Sequence, residues 1–171
     1  MFEQDCRIIE CEQYSRRENL IISGIPDSVT DDQLQDKIVD ILTDLDIDVN
    51  YHDISTCHRL GRSNRGYPAR VIVRFTNRQI FHDCLAIKHT LKNKPRRLGM
   101  NLRFFENLNK SNEECLRMCK WLKERNVIHD YFLRNGFVKA VEIEGSKPFK
   151  IRHPDIIKNS FRDIEDFPDD H

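Results

Sequence analysis

Arg59 to Phe75 reads RLGRSNRGYPARVIVRF. A loop dense in Arg, Gly, Ser and Asn runs into a stretch that alternates cation with aliphatic. Strand side chains alternate from face to face with period two. A strand over Arg70–Phe75 therefore puts Val71, Val73 and Phe75 on one side and Arg70, Ile72 and Arg74 on the other. The first set suits a core, the second a polyanion. The basic bias extends beyond the strand: from Ile54 to Phe105 the chain carries twelve Lys or Arg against the single acid Asp83, a net charge of +11.

The rest of the chain cancels this excess. Over 171 residues there are 28 basic and 28 acidic side chains, and 39% of residues are apolar. With a mean hydropathy of −0.64, that composition supports a core under a heavily charged surface, in one ordinary domain or two small ones. The compensating acids are clustered. Asp27–Asp48 holds eight of them against Lys37, and Asp163, Glu165, Asp166, Asp169 and Asp170 crowd the C-terminus. Such asymmetry within a neutral chain predicts one face made for a polyanion and others made for water.

The N-terminus lacks the apolar core of a signal peptide, and no run approaches the ~20 apolar residues of a membrane span. Cys6, Cys11, Cys57, Cys84, Cys115 and Cys119 show no C-x-x-C pairing, and the spacing of Cys115 and Cys119 suits one helix face. These features predict an intracellular protein, cytoplasmic and/or nuclear, with reduced thiols, no metal and no membrane partner.

Outward from the opening stretch, the elements follow in order. Phe2, Cys6, Ile9 and Gln13 fall at a/d spacing, the pattern either of the end of a coiled coil or of a single lead-in helix laid on its own domain. The first would give self-association through the N-terminal helix. Asn19–Gly24 reads as a first strand. Thr30 with Gln33 forms a capping box for a helix whose buried stripe is Leu34, Ile38, Ile41, Leu42 and Leu45. Asp36, Asp40 and Asp44 lie on its opposite side at ordinary surface spacing.

A second strand spans about Asp53–Leu60. After the Arg70–Phe75 strand, Thr76 and Gln79 repeat the capping box before a helix with Ile80, Cys84, Ile87 and Leu91 inward. Lys92–Arg97 is a basic turn, and Leu102–Phe105 a fourth strand. The order is βαββαβ. Beyond it, Asn109 or Ser111 caps a helix to about Arg125. Asn135-Gly136 then marks a hairpin between Tyr131–Leu133 and Phe137–Val141. Lys147–Ile151 adds a strand and Pro154–Phe161 a short helix. The predicted organisation is a lead-in segment (1–17), an α+β sheet domain (18–106), a small C-terminal domain of helix plus β-hairpin (107–162) and an acidic tail (163–171).

A βαββαβ order with a basic third strand points to an RRM-like sheet for single-stranded RNA or DNA. An RRM stacks bases on aromatics of its first and third strands, whereas the corresponding outward positions here are Ile21, Arg70 and Ile72. Tyr67 in the loop is the nearest aromatic. Guanidinium contacts must therefore carry more of the binding, with strong salt dependence and low sequence specificity. Arg70 and Arg74 are expected to act from the sheet and Arg59, Arg62 and Arg65 from the loop, with Arg96, Arg97 and Arg103 extending the track. An enzyme is not expected. His58, His82, His89 and Cys57 offer no nucleophile–base spacing, and the chain has no Gly-rich phosphate loop and no cofactor motif.

The runs RRENLIISGIP, HRLGR, ARVIVRF, LRFFENLN and FLRNGFVKA, in this order, resemble the RRM plus C-terminal domain of the nucleic-acid-binding proteins encoded by the first reading frame of LINE-type retrotransposons. They are equally similar to the baculovirus few-polyhedra (FP) protein and its transposon-encoded relatives. The similarity covers roughly Glu12–Phe161. It implies single-stranded nucleic-acid binding, chaperone-like strand exchange, and trimerisation through a long upstream coiled coil. The family's basic positions match at Arg16, Arg17, Arg59, Arg62, Arg70 and Arg74. The FP likeness also implies an alternative, a protein-interaction or virion-assembly module.

Overall fold

The structure is a computed structural model that describes residues 2–63, 66–93, 100–162 and 167. It is an α+β protein whose chain divides into two compact units, Glu18–Asn107 and Met1–Arg17 together with Leu108–His171. The opening helix α1 (Phe2–Ser15) thus groups with the C-terminal residues, so the segment 1–17 and the C-terminal domain predicted separately form one unit.

Residues 18–107 follow the predicted order. Strand β1 (Asn19–Ser23) leads through a 3₁₀ turn at Asp31–Gln33 into α2 (Leu34–Asp44). Strands β2 (Ile54–Leu60) and β3 (Arg70–Phe75), helix α3 (Arg78–Asn93) and strand β4 (Arg103–Glu106) complete the unit. The four strands form one antiparallel sheet in the order β2-β3-β1-β4. Consecutive strands β2 and β3 are neighbours, whereas β1 sits between β3 and β4, so both helix-bearing connections cross over the sheet.

One face of the sheet is covered by apolar side chains of both helices. Leu20 and Ile22 of β1, Val71, Val73 and Phe75 of β3 and Phe104 of β4 meet Leu34, Ile38, Ile41 and Leu42 of α2 and Ile80, Phe81 and Cys84 of α3 in a single core. The 3–4 spacing of the helical residues gives each helix one stripe to bury. The Thr30–Gln33 pair caps the 3₁₀ turn that leads into α2, with the Thr30 N–H donating to Gln33 Oε1 at 3.3 Å. At α3 the cap differs from the predicted one. Asn77, not Thr76, accepts from the Gln79 N–H at 2.9 Å, while the Thr76 hydroxyl turns to the Asp53 carbonyl.

The other unit packs α4 (Lys110–Glu124) on a three-stranded sheet of β5 (Asp130–Arg134), β6 (Phe137–Val141) and β7 (Phe149–Lys150), with α5 (Pro154–Ser160) beside it. Asn135 and Gly136 take φ of 54° and 77°, the pair of positive values that a type I′ hairpin turn needs. Three of the four a/d residues of α1 (Cys6, Ile9 and Gln13) are buried within the chain, and Phe2 lies edge-on to the His153 ring at 5.3 Å. Gln13 Oε1 accepts from the Asn109 N–H at 2.9 Å and from Asn112 Nδ2 at 3.1 Å. Arg152 reaches Glu3 and Glu10 at 3.1 and 3.2 Å. Of the two readings of this stripe, the coiled-coil seam and the single helix laid on its own domain, the packing matches the second, since the stripe is occupied inside its own unit. Buried polar partners hold it there, because an amide left unpaired in that position would lose its water without replacement.

Cys6, Cys84, Cys115 and Cys119 are buried free thiols, and Cys11 is exposed. Burial pushes Cys84, Cys115 and Cys119 up to about 12, far from thiolate chemistry. Among the described residues, no helix is long and apolar enough to cross a membrane.

Candidate nucleic-acid interface

With Leu20, Ile22, Val71, Val73 and Phe104 directed into the core, their neighbours along each strand take the opposite face of the 18–107 sheet. The register arranges them in rows. Ile21 of β1 lies opposite Ile72 of β3 on one side and Phe105 of β4 on the other, and His58 of β2 lies opposite Ile72. Flanking this row, Leu60 faces Arg70 and Ser23 faces Arg103. On its far side Thr56 faces Arg74, which faces Asn19. An apolar and aromatic band thus runs across the sheet with arginines at both borders.

Two depressions open at the Arg70 and Arg103 end. One, of about 580 Å³, is lined by residues that include Gly24, Tyr67, Arg70, Asn101, Arg103 and Phe105. The second, of about 360 Å³, shares Tyr67 and Arg70 and adds Arg62. Among the described residues, no Asp or Glu lines either one. Arg62, Arg70 and Arg103 are exposed, and among the described residues none of them is paired with a carboxylate. Arg74 is also exposed but lies 3.7 Å from Glu18, which offsets part of its charge.

Backbone geometry keeps the larger depression open. Gly24 has φ +96°, and a Cβ there would overlap the carbonyl oxygen of Asn101. Only glycine lets the end of β1 pass that close to the segment entering β4. The β2–β3 loop is held at both ends by one carboxylate. Asp27 Oδ2 accepts from the Ser63 hydroxyl at 2.5 Å, and Oδ1 accepts from the Ala69 N–H at 3.3 Å. The Ser63 bond has the largest influence and holds the Asp27 carboxyl below its usual range against desolvation, with smaller lowering effects from the Ala69 N–H and the neighbouring Arg59 guanidinium.

Arg59, expected to grip a nucleic-acid backbone from the loop, has another role. It lies within β2 on the core side, with its side chain only 14% exposed. Nη1 donates to the carbonyls of Ile25 and Ala69 at 3.3 and 3.1 Å, and Nη2 to those of Pro26 and Val29 at 2.6 and 2.9 Å. All four terminal N–H groups are satisfied, so no pair of donors remains for a two-pronged grip on a phosphate. The cause is an irregularity in β2. Ile54 pairs with Phe75 but Thr56 with Arg74, so the register shifts by one residue and strand parity reverses after Ile54. Cys57 and Arg59 then point to the core side, and His58 and Leu60 to the open face.

The remaining predicted positions divide three ways. Arg62, Arg70 and Arg103 come together, with Arg74 across the face. Arg16 and Arg17 belong to the other unit, where Arg16 donates to the Leu108 carbonyl at 3.1 Å and Arg17 stacks 3.7 Å over the Tyr14 ring. Arg65, Arg96 and Arg97 lie outside the described residues. Sequence reasoning missed Phe105, which is 43% exposed beside Ile21. Alternation along the predicted fourth strand carried the signal, since Leu102 and Phe104 inward leave Arg103 and Phe105 outward. Compared with known proteins, the chain matches no protein-family model and no curated protein.

Proposed function

We propose that residues 18–107 form an RRM-like domain that binds single-stranded nucleic acid, RNA being the expected strand, with low sequence specificity. The βαββαβ succession and the strand order β2-β3-β1-β4 support the RRM-like reading. One observation carries the functional reading. Arg62, Arg70 and Arg103 gather at one end of an open sheet face, around depressions with no acid among the described lining residues. A phosphodiester backbone is the polyanion that suits several guanidiniums spaced along a surface, each able to form two parallel hydrogen bonds to phosphate oxygens. Contacts to phosphate carry no base information, which accounts for the low specificity. The activity assigned is binding, and no catalytic role is given to any residue. Together with the motif resemblance, this supports reading the chain as a ribonucleoprotein component of the retrotransposon type.

The test is fluorescence anisotropy of a labelled single strand and a matched duplex over a salt series. The single strand should bind more tightly, with log K falling as log salt rises. Arg70→Ala with Arg103→Ala should flatten that slope by about 0.7 for each phosphate no longer neutralised. An unchanged slope and affinity in the double variant would remove the sheet end as the site. Partners in a pull-down that persist after nuclease treatment would favour the assembly-module alternative instead.

A further inference from the structure

We infer that the larger depression is a stacking pocket for a single unpaired nucleobase, clasped between Tyr67 and Phe105 while Arg70 and Arg103 hold the attached phosphate. The inference rests on the nucleic-acid reading and adds to it a binding contribution that does not depend on charge. Tyr67 is 77% exposed at the loop and Phe105 is 43% exposed on β4. Single exposed apolar side chains are ordinary on a protein surface. Two aromatic rings from elements far apart in sequence, lining one concavity with two guanidiniums, form a built arrangement. Pro26, Pro68 and Met100 complete its apolar lining. The volume of about 580 Å³ falls within the range of small-ligand clefts and accommodates a nucleoside with its phosphate.

The chemistry of the lining selects the ligand class. Aromatic faces accept any base, because every base presents a π-face, and a guanidinium plane adds a cation–π contact. With no carboxylate among the described lining residues, a cationic ligand is disfavoured and an anion is free to approach Arg70 and Arg103. This pocket lies at the β2–β3 loop and β4. It is separate from the central positions of β1 and β3, which Ile21 and Ile72 occupy. A base would have to leave its neighbours to enter, so the pocket discriminates against paired strands.

The experiment compares two strands of equal length and phosphate number, one bearing bases with 2-aminopurine among them and one abasic. The base-bearing strand should bind about tenfold more tightly per stacked base. That ratio should persist at high salt even as both affinities fall, and 2-aminopurine fluorescence should be quenched on binding. Tyr67→Ala and Phe105→Ala should each bring the ratio toward one while leaving the abasic affinity and its salt slope unchanged. Phe105→Leu keeps apolar bulk for folding and should also abolish the ratio. Equal affinity for the two strands with a steep salt slope would overturn the stacking pocket but spare the phosphate-binding function. Weak, salt-independent binding of both would overturn the function itself. Free AMP supplies the same base and phosphate without a strand. It should displace the 2-aminopurine strand only at far higher concentration, and AMP competing as well as the strand would overturn a strand as the ligand.

Discussion

Arg59 Nη2 donates to the carbonyl of Pro26 at 2.6 Å, tying the start of the basic segment to the loop that leaves the first strand. The first arginine of the HRLGR run is thereby a structural element, and Arg62 and Arg70, which follow it in sequence, are the ones turned outward. Charge density along a sequence and charge available at a surface are different quantities, and this pair of residues separates them.

Replacing Arg59 should therefore affect folding before it affects binding. Arg59→Ala removes the guanidinium donor from four carbonyls, of which Pro26 keeps the Val29 N–H, and should cost about 3 kcal/mol. Arg59→Lys recovers only part of this, because an ammonium is a point charge that cannot span the same fork of acceptors. Arg70→Ala, at an exposed strand position, should stay within about 0.5 kcal/mol of the parent. Denaturant melts of the three variants measure the contrast. An Arg59→Ala protein as stable as Arg70→Ala would show that the carbonyl hydrogen bonds contribute nothing.

Gly24→Ala combines a positive φ with overlap on the Asn101 carbonyl. The strain and the displacement of backbone should together cost about 2–4 kcal/mol. Thermal unfolding reads the destabilisation directly. Gly61→Ala is the control: its φ is also positive, but nothing lies within 4 Å of an added Cβ, so it should cost less.

Acid should loosen the β2–β3 loop through Asp27. Its folded pKa lies below the ordinary value, so the carboxylate contributes stability at and above the unfolded pKa, near pH 4. The contribution is lost as pH falls through the lower folded value. Asp27→Asn keeps an acceptor oxygen but cannot titrate. Melting temperatures of parent and variant should thus differ at about pH 6 and converge toward about pH 3. A constant gap across that range would mean that ionisation of Asp27 is irrelevant to the loop.

In the other unit, Gln13→Ala should strand the Asn109 N–H and the Asn112 amide, both buried, at a cost of about 2–3 kcal/mol. Hydrogen exchange measures the outcome locally. Amides of α1 and of the first turn of α4 should lose protection together in the variant. A change confined to α1 would show that the helix is not coupled to the α4 cap.

Local rules decide much of this architecture, and the sequence displays them openly. Val71, Val73 and Phe75 alternate with Arg70, Ile72 and Arg74 because the pleat allows no other arrangement within one strand. The α2 stripe is legible because a helix buries one side of itself, and the hairpin because Asn135 and Gly136 accept positive φ. All of these depend on neighbours a few residues away. What lies beyond them depends on pairing between distant segments.

The bulge after Ile54 sends Arg59 inward, and nothing within the pentapeptide around it announces that reversal. Phe105 comes to rest beside Ile21 only because β4 pairs with β1 in one register. Tyr67 shares a cavity with it only because the loop is clasped by Asp27, about forty residues earlier in the chain. Likewise, the a/d stripe of α1 announces a buried face but not its partner, which Asn109 and Asn112 supply nearly a hundred residues away. The sequence by itself determined the elements, their order and the gathering of positive charge between Ile54 and Phe105 in a chain of zero net charge. Tertiary structure alone decided which of those charges face solvent together and which aromatic rings join them, because long-range register is set by the sheet as a whole and not by any segment within it.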